Sequence, residues 1–500
     1  MRFTSILDDN FNKLAILISL SLIFFFLFRL VNISNSSYFS QDDFFHLRMI
    51  MDKNIYDIPS FFVNTIEGQT FYRPLSRETY NLIMYQLFGL NPMPFHIYNL
   101  LLILLNSILL TLIVKRITNS LLTTYLSVLI FLVSSIHSVE LYYLSSVQTL
   151  MSTSLVLLSI LVYTLFIRSR NINYFLFSIL LFSIALFSHE SSIVLPGFIL
   201  ILEIFYGRKI SIKSFAVYLM PFLFLALLFL ISTTSITNLP SQKVYQPIFN
   251  IKSILNTFGW YLAWSLGVPE MLVDFVKPGL KLKPEFVVWY KDYVKVISPL
   301  IFIYGTVLLL LIFHLRKTLI KNRFFIFCVL AFIISLLPFI FFPQHKFVYY
   351  LSLAFIWFSI IFGIILSSAW QYSLIHKALV VLAVLAFSLV AYKTIEINSI
   401  THWAAKRAKS AEVLMEGIKK DYPSVPKGSI FYIKDDPNYP YIAAEWGTSS
   451  KQVFYILSGS DALKLFYKDS SIETYFQAVG GLPKKTNESR VINFTAIFPY

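Results

Sequence analysis

Cysteine is almost absent: one residue, Cys328, in 500, and it lies inside an apolar run. No intrachain disulfide framework can exist, and the lone thiol reads as packing. Charge is scarce too, at 13% of residues against 57% hydrophobic, which is too little to coat a soluble particle of this length. The solvent for most of the chain must be lipid. No glycine-rich phosphate loop, internal repeat or low-complexity tract occurs. A cleavable leader is not expected either, because Asp8 and Asp9 precede the first apolar run and no small-residue cleavage site follows it.

What is present is a succession of apolar runs, each long enough to cross a hydrocarbon core at about 1.5 Å per residue. Fifty Phe and thirty Tyr suit that setting. About eleven spans are expected, near 13–31, 95–114, 121–138, 144–167, 172–188, 191–206, 214–232, 297–315, 324–342, 347–367 and 378–395. With the N-terminus in the cytoplasm, alternate connections collect Lys115 and Arg116, Arg168 and Arg170, Arg208, Lys209 and Lys213, Arg316, Lys317, Lys321 and Arg323, then Lys377. The opposite short connections, around 137–143, 188–191 and 343–346, hold only Lys346 among Lys and Arg. That asymmetry is the positive-inside rule, so the net charge of +15 reports topology and no nucleic-acid partner is expected.

Three polar regions then fall outside: the loop at 32–94, the loop at 233–296 and the tail from about 396. The expected architecture is an all-α polytopic membrane domain over 1–395 and a small extracytoplasmic α/β domain over 396–500. The tail opens on an amphipathic stretch, Trp403 to Lys420, followed by strand-like runs such as SIFYIKDD and QVFYILSG separated by Pro and Gly.

The strongest local signal is SQDDFFHLRMI at 40–50, just after the first span. Asp42 and Asp43 are adjacent, with His46 close by. On a helix, neighbouring side chains diverge by about 100°, so the two acids cannot share one task by simple pairing. One can point into a cleft while the other holds a metal or the loop; a plain helix N-cap is the competing reading. In FYRPLSRETY at 71–80, Arg73 precedes Pro74, which holds its backbone extended so that its guanidinium can be aimed at a phosphate. Lipid headgroup contact, or an ion pair with Glu78, is the alternative there. Three outer turns, IHSVELYYLSSVQ, FSHESS and FPQHKFVYY, carry His137, Glu140, His189, Glu190, His345 and Lys346 against helix ends. Ionisable groups at that depth are costly and usually face a polar cavity. Joined by His46, Tyr72, Gln148 and Tyr349, they are expected to line one outward-facing pocket. The histidines sit on separate turns without ligand-type spacing, which argues against a dedicated zinc site.

In this order the pieces resemble a GT-C membrane glycosyltransferase. The acidic pair is similar to the Asp-Glu or Asp-Asp motif of protein O-mannosyltransferases and of the aminoarabinose transferases that modify lipid A. The closer likeness is to the O-mannosyltransferases that carry tetratricopeptide repeats. YRPLSRETYNLIMYQLFGLNPMPFHIYNLLLILLNSILL, SSIHSVELYYLSSVQTLMSTSLVLLSILVY, FSHESSIVLPGFILILEIF and FPQHKFVYYLSLAF each resemble a block of that family, covering roughly residues 20–365. There are departures: His137-Ser138 stands where the family has His-Pro, His189-Glu190 where it has Lys-Glu, and His345-Lys346 where it has Glu-Arg. The repeats themselves are missing.

The resemblance implies a polyprenyl-phosphate sugar as donor, hexosyl or mannosyl in type. It also implies an extracytoplasmic hydroxyl on protein, lipid or glycan as acceptor, and inversion at the anomeric carbon. It makes Asp42 the base and gives Asp43 the task of orienting it or holding a divalent cation, Mg2+ or Mn2+. Arg73 and Lys346, helped by His345, would hold the donor phosphate. The low cysteine count and missing repeats lean toward a bacterial cytoplasmic membrane. The alternatives are a lipid-linked sugar flippase, against which no inverted repeat is visible, and an oligosaccharide ligase acting through the 233–296 loop.

Overall fold

The structure, a computed structural model, describes residues 2–64, 71–207, 212–236, 245–277, 281–439, 447–483 and 490–498. Arg208 and Lys209, and parts of the outer loops and tail, lie outside the described residues. The membrane part consists of α1 (Arg2–Ser36), α2 (Asp42–Ile50), α3 (Ile58–Phe61), α4 (Tyr80–Phe88), α5 (Pro92–Thr118), α6 (Leu121–Leu132), α7 (Ile136–Tyr142), α8 (Val147–Ser169), α9 (Ile172–Leu186), α10 (Leu195–Tyr206), α11 (Ile212–Ile236), α12 (Ile251–Ser265), α13 (Pro284–Trp289), α14 (Lys291–Lys321), α15 (Arg323–Leu336), α16 (Ser352–Trp370) and α17 (Leu374–Thr401). A two-residue ribbon, β1 (Val276–Lys277) with β2 (Lys281–Leu282), lies between α12 and α13.

Every one of the eleven expected segments is helical, yet among the described residues seven helices are long and apolar enough to cross a membrane alone, and α6 with α7, bent by 48°, makes an eighth if the pair is one span. The segments expected at 172–188, 191–206 and 324–342 form α-helices of 15, 12 and 14 residues. These fall short of the roughly twenty residues a full crossing needs, so helix length by itself supports seven or eight crossings. The chain is a multi-pass membrane protein.

Helix starts follow from capping chemistry. Asn91, Asn171, Asn250 and Asn322 each stand one residue before a helix and accept a backbone N–H two residues on, relieving donors that have no partner within the helix. Small residues set the closest crossings. Ser159 and Ser178 bond reciprocally to each other's carbonyls at 2.9 and 3.0 Å between α8 and α9. Between α6 and α16, a Cβ at Gly363 would land on Ser127.

In the tail, α18 (Trp403–Asp421) leads to β3 (Ile430–Lys434), α19 (Ser449–Ile456), α20 (Asp461–Tyr467), β4 (Glu473–Phe476) and β5 (Val491–Thr495). The sheet is parallel in the order β4-β3-β5, with Ile430 opposite both Glu473 and Val491. SIFYIKDD is the central strand, as its alternation implies. QVFYILSG is not a strand but α19 and its C-terminal turn. Its buried Val453, Ile456 and Leu457 recur at helical spacing, and parallel pairing of β3 with β4 requires a crossover in this place.

Candidate active site

A polar chamber of about 190 Å³ opens on the face where α1 ends and α2 begins. Asp42, Phe45 and His46 of α2 form one wall; Tyr143, Ser145, Gln148 and Thr149, around the start of α8, form the next. Phe71, Arg73 and Arg77 stand opposite, and the turns at 187–192 and 342–350 bring His189, His345, Tyr349 and Tyr350. Tyr245 reaches in from the 233–296 segment, its ring tilted by 57° against that of His345 at 4.5 Å between centroids. A larger cavity of about 440 Å³ between α1, α6 and α17 is lined by groups such as Ile16, Leu122, Trp370 and Val384 and holds no charged side chain. The smaller, polar one gathers the charged and titratable side chains and is the candidate active site.

The acidic pair divides as helical geometry requires. Asp42 is exposed to the chamber, and one of its carboxylate oxygens accepts the Tyr143 hydroxyl at 2.5 Å. Asp43 is buried and turned away from the chamber. It accepts the Ser40 N–H and the Ser145 hydroxyl, each at 3.0 Å, so it fixes the start of α2 and ties it to the segment before α8. Burial pushes its carboxyl up to about 7 against those bonds, which pull it down. His46 lies 3.2 Å from the Ser145 hydroxyl and is held well below its ordinary value by burial and by the Arg77 and Arg73 charges, hence neutral.

Arg73 ends an irregular stretch at φ −140°, ψ 56°, and Pro74 then opens a π-helical turn, Pro74–Thr79. That turn is fastened to the 187–188 turn by the Leu75 N–H on the Phe187 carbonyl at 3.1 Å and by the Ser76 hydroxyl on Ser188. Arg73 Nε and Nη2 bond Glu190 side-on at 2.8 and 2.5 Å, and Nη1 donates to Gln148. Three of five donors are thereby used, and the guanidinium is aimed while its remaining N–H groups stay available. Burial works to raise Glu190 but the Arg73 charge prevails, holding this carboxyl below the ordinary range. Arg77 is paired with Glu78 in a buried contact and also donates to the Phe71 carbonyl at 2.6 Å. Burial lowers His189 to about 3 and His345 to about 4, with the Arg73 charge acting in the same direction.

Of the residues singled out from sequence, Asp42, His46, Arg73, Gln148, His189, His345 and Tyr349 therefore line the chamber. Six others do not. Asp43 and Glu190 act behind the wall as described. Tyr72 donates to the Phe62 carbonyl at 2.6 Å. His137 and Glu140 form a buried pair at 2.8 Å, and Glu140 also receives Ser352, so the two brace α7 against α16. The Lys346 ammonium donates to the Pro343 carbonyl at 2.6 Å and stands outside the chamber. Tyr143, Ser145, Tyr245 and Tyr350 were not singled out. Among thirty tyrosines in an apolar sequence, a phenol beside a carboxylate leaves no local mark.

No group of three His, Cys, Asp or Glu side chains that could hold a metal occurs among the described residues. Both oxygens of Asp43 are already bonded within the protein, so the residues present do not fit the divalent cation expected at Asp43.

No family model matches the sequence, and no curated protein matches it. Solved structures do. ArnT from Cupriavidus metallidurans in the apo state matches with a TM-score of 0.50 at 11% identity, over 97% of this chain and 89% of that one. ArnT bound to undecaprenyl phosphate gives 0.44 at 12%, over 94% and 86%. The archaeal oligosaccharyltransferase AglB from Archaeoglobus fulgidus, in complex with an inhibitory peptide and a dolichol-phosphate, gives 0.45 at 11%, over 92% of this chain and 65% of that one. The likeness to apo ArnT speaks for architecture: this chain shares the fold of ArnT, in agreement with the GT-C-like fold that the sequence blocks lead one to expect.

Proposed function

We propose that the chain moves a sugar from a polyprenyl-phosphate donor to a hydroxyl acceptor on the extracytoplasmic face, with inversion at the anomeric carbon. The observation that carries this reading is one accessible carboxylate, Asp42, sharing a chamber of about 190 Å³ with two guanidinium groups, Arg73 and Arg77. A sugar phosphate already carries a good leaving group. What it lacks is a base for the incoming hydroxyl and positive charge for the departing phosphate.

In the proposed step the acceptor oxygen forms a bond to the anomeric carbon as Asp42 takes its proton. The bond from that carbon to the phosphate oxygen breaks, and its electron pair leaves with the phosphate. Tyr143 keeps the Asp42 carboxylate in place through its 2.5 Å bond. The N–H groups of Arg73 not taken by Glu190 and Gln148 face the leaving phosphate, with Arg77 and His345 beside it. Lys346 has no part in this grip. The donor class is supported by the sequence blocks and by ArnT, which shares the fold and is a protein that binds undecaprenyl phosphate.

The test is transfer of labelled sugar from polyprenyl phosphate in membranes containing the chain or Asp42→Asn. Loss of a positioned base should cost about 10²–10⁴ in rate, while undecaprenyl phosphate binding persists. Near-normal turnover by D42N would refute the assignment.

A further inference from the structure

We propose that the tail completes the acceptor side of this site with Arg407, and that this side takes a hydroxyl compound carrying a phosphate or carboxylate group; the inference rests on the transferase reading above. Helix α18 follows α17 directly, and its first residue, Trp403, sets its ring 5.2 Å from that of Tyr143, the phenol that holds Asp42. One turn along the same helix face, the Arg407 guanidinium lies 5.8 Å from the Trp403 ring centroid and 6.0 Å from that of Tyr455. Tyr455 adjoins Ile456, whose carbonyl accepts the Gln41 N–H at 2.9 Å immediately before Asp42. Arg407 and Asp42 are thus joined through the Trp403 and Tyr143 rings on one side and through Tyr455 and the Gln41–Ile456 backbone bond on the other. The register between them is fixed by that backbone bond and by the Arg48–Asp461 pair at 3.0 Å.

The aromatic faces serve the flat of the guanidinium and leave its in-plane donors unused. Those donors meet no hydrogen-bond acceptor among the described residues. Burial pushes the Arg407 guanidinium down from its ordinary value, and the Asp42 charge pulls it back, yet the only side-chain hydrogen bond at Asp42 among the described residues comes from Tyr143. A half-buried, ring-clamped fork with open donors suits a bidentate oxyanion. Donor phosphate is an unsuitable occupant, because Arg73, Arg77 and His345 lie on the chamber wall and Arg407 does not. It approaches Asp42 from the tail. The base must touch the acceptor hydroxyl, so an anion held beside it on that side belongs to the acceptor.

The full chain in detergent is first titrated with farnesyl phosphate, as wild type and as Arg73→Gln, to score the donor side by itself. With farnesyl phosphate present, wild type, Arg407→Gln and Arg407→Lys are then titrated with glycerol 1-phosphate and with glycerol. Glycerol 1-phosphate should bind far more tightly than glycerol. R407Q should raise its Kd by about tenfold or more, as expected for lost hydrogen bonds to a charged group. R407K should recover only part of this, since an ammonium lacks the planar fork. Equal Kd values in wild type and R407Q, or no preference for glycerol 1-phosphate over glycerol, would overturn the proposal. Should farnesyl phosphate not bind, the donor reading fails, and the same comparison made without it still decides Arg407. Melting temperatures of both variants establish that they are folded.

Discussion

Adjacent carboxylates at Asp42 and Asp43 have opposite surroundings, and the difference is measurable. Burial favours the neutral form of Asp43 and pushes its carboxyl from the ordinary 3.8 up to about 7. Between those values the folded chain keeps a proton that the unfolded chain has lost, so the contribution of Asp43 to stability falls as pH rises from about 4 to about 7 and levels off above. The histidines held neutral by burial act in the opposite sense in both proteins, so the melting temperature of wild type minus that of Asp43→Asn should fall across this range; a constant difference would mean that the buried acid contributes nothing. Tyr143→Phe removes the 2.5 Å bond to Asp42 and should lower the transfer rate by about tenfold, the order expected of a hydrogen bond to a charged group. The same pair shows how far sequence reasoning reaches. A helical SQDDFFHLRMI implies that the two acids diverge, but which one meets the chamber depends on Ser145, a hundred residues away, and on the register of α2 against it. Lys346 teaches the converse: a cation in an otherwise apolar turn looks purposeful, yet a carbonyl three residues back takes its ammonium.

Elements answer to space and to tethers. Gly363 of α16 packs so tightly on α6 that an added Cβ meets both the Ser127 side chain and its backbone, whereas a Cβ at Gly305 of α14 meets nothing within 4 Å. Gly363→Ala should therefore destabilise by about 1–3 kcal/mol. Gly305→Ala should be neutral or stabilising by up to about 1 kcal/mol, and thermal unfolding of the two variants side by side checks the contrast. Helix α2 is tethered to the tail by the Arg48–Asp461 pair, whose side chains are 37% and 14% exposed. Solvent screening limits such a pair to about 1 kcal/mol or less. Asp461→Asn should accordingly leave the melting temperature nearly unchanged while lowering transfer, because α2 carries the base; unaltered transfer would separate the tail from catalysis. Helix identity was legible throughout the membrane part, since apolar runs admit little else in lipid. Strand against helix in QVFYILSG was not, because a short apolar run fits either period and the parallel sheet around it decided.

For the whole molecule, charge placement in the sequence predicts that the tail lies outside. Cys328 is buried, so a Cys328→Ser background accepts a reporter thiol. Cysteine placed at Lys409, 65% exposed on α18, should react with a membrane-impermeant maleimide on intact cells, and cysteine placed at Lys317 only after permeabilisation. The reverse pattern would invert the topology. Where a prenyl phosphate binds is decisive for the proposed transfer. An electron cryomicroscopy map of the full chain with undecaprenyl phosphate should place the phosphate in the polar chamber, within hydrogen-bond reach of Arg73, with Asp42 facing it across the space left for a sugar. Phosphate found elsewhere, or a chain occupying only the apolar cavity between α1, α6 and α17, would contradict it.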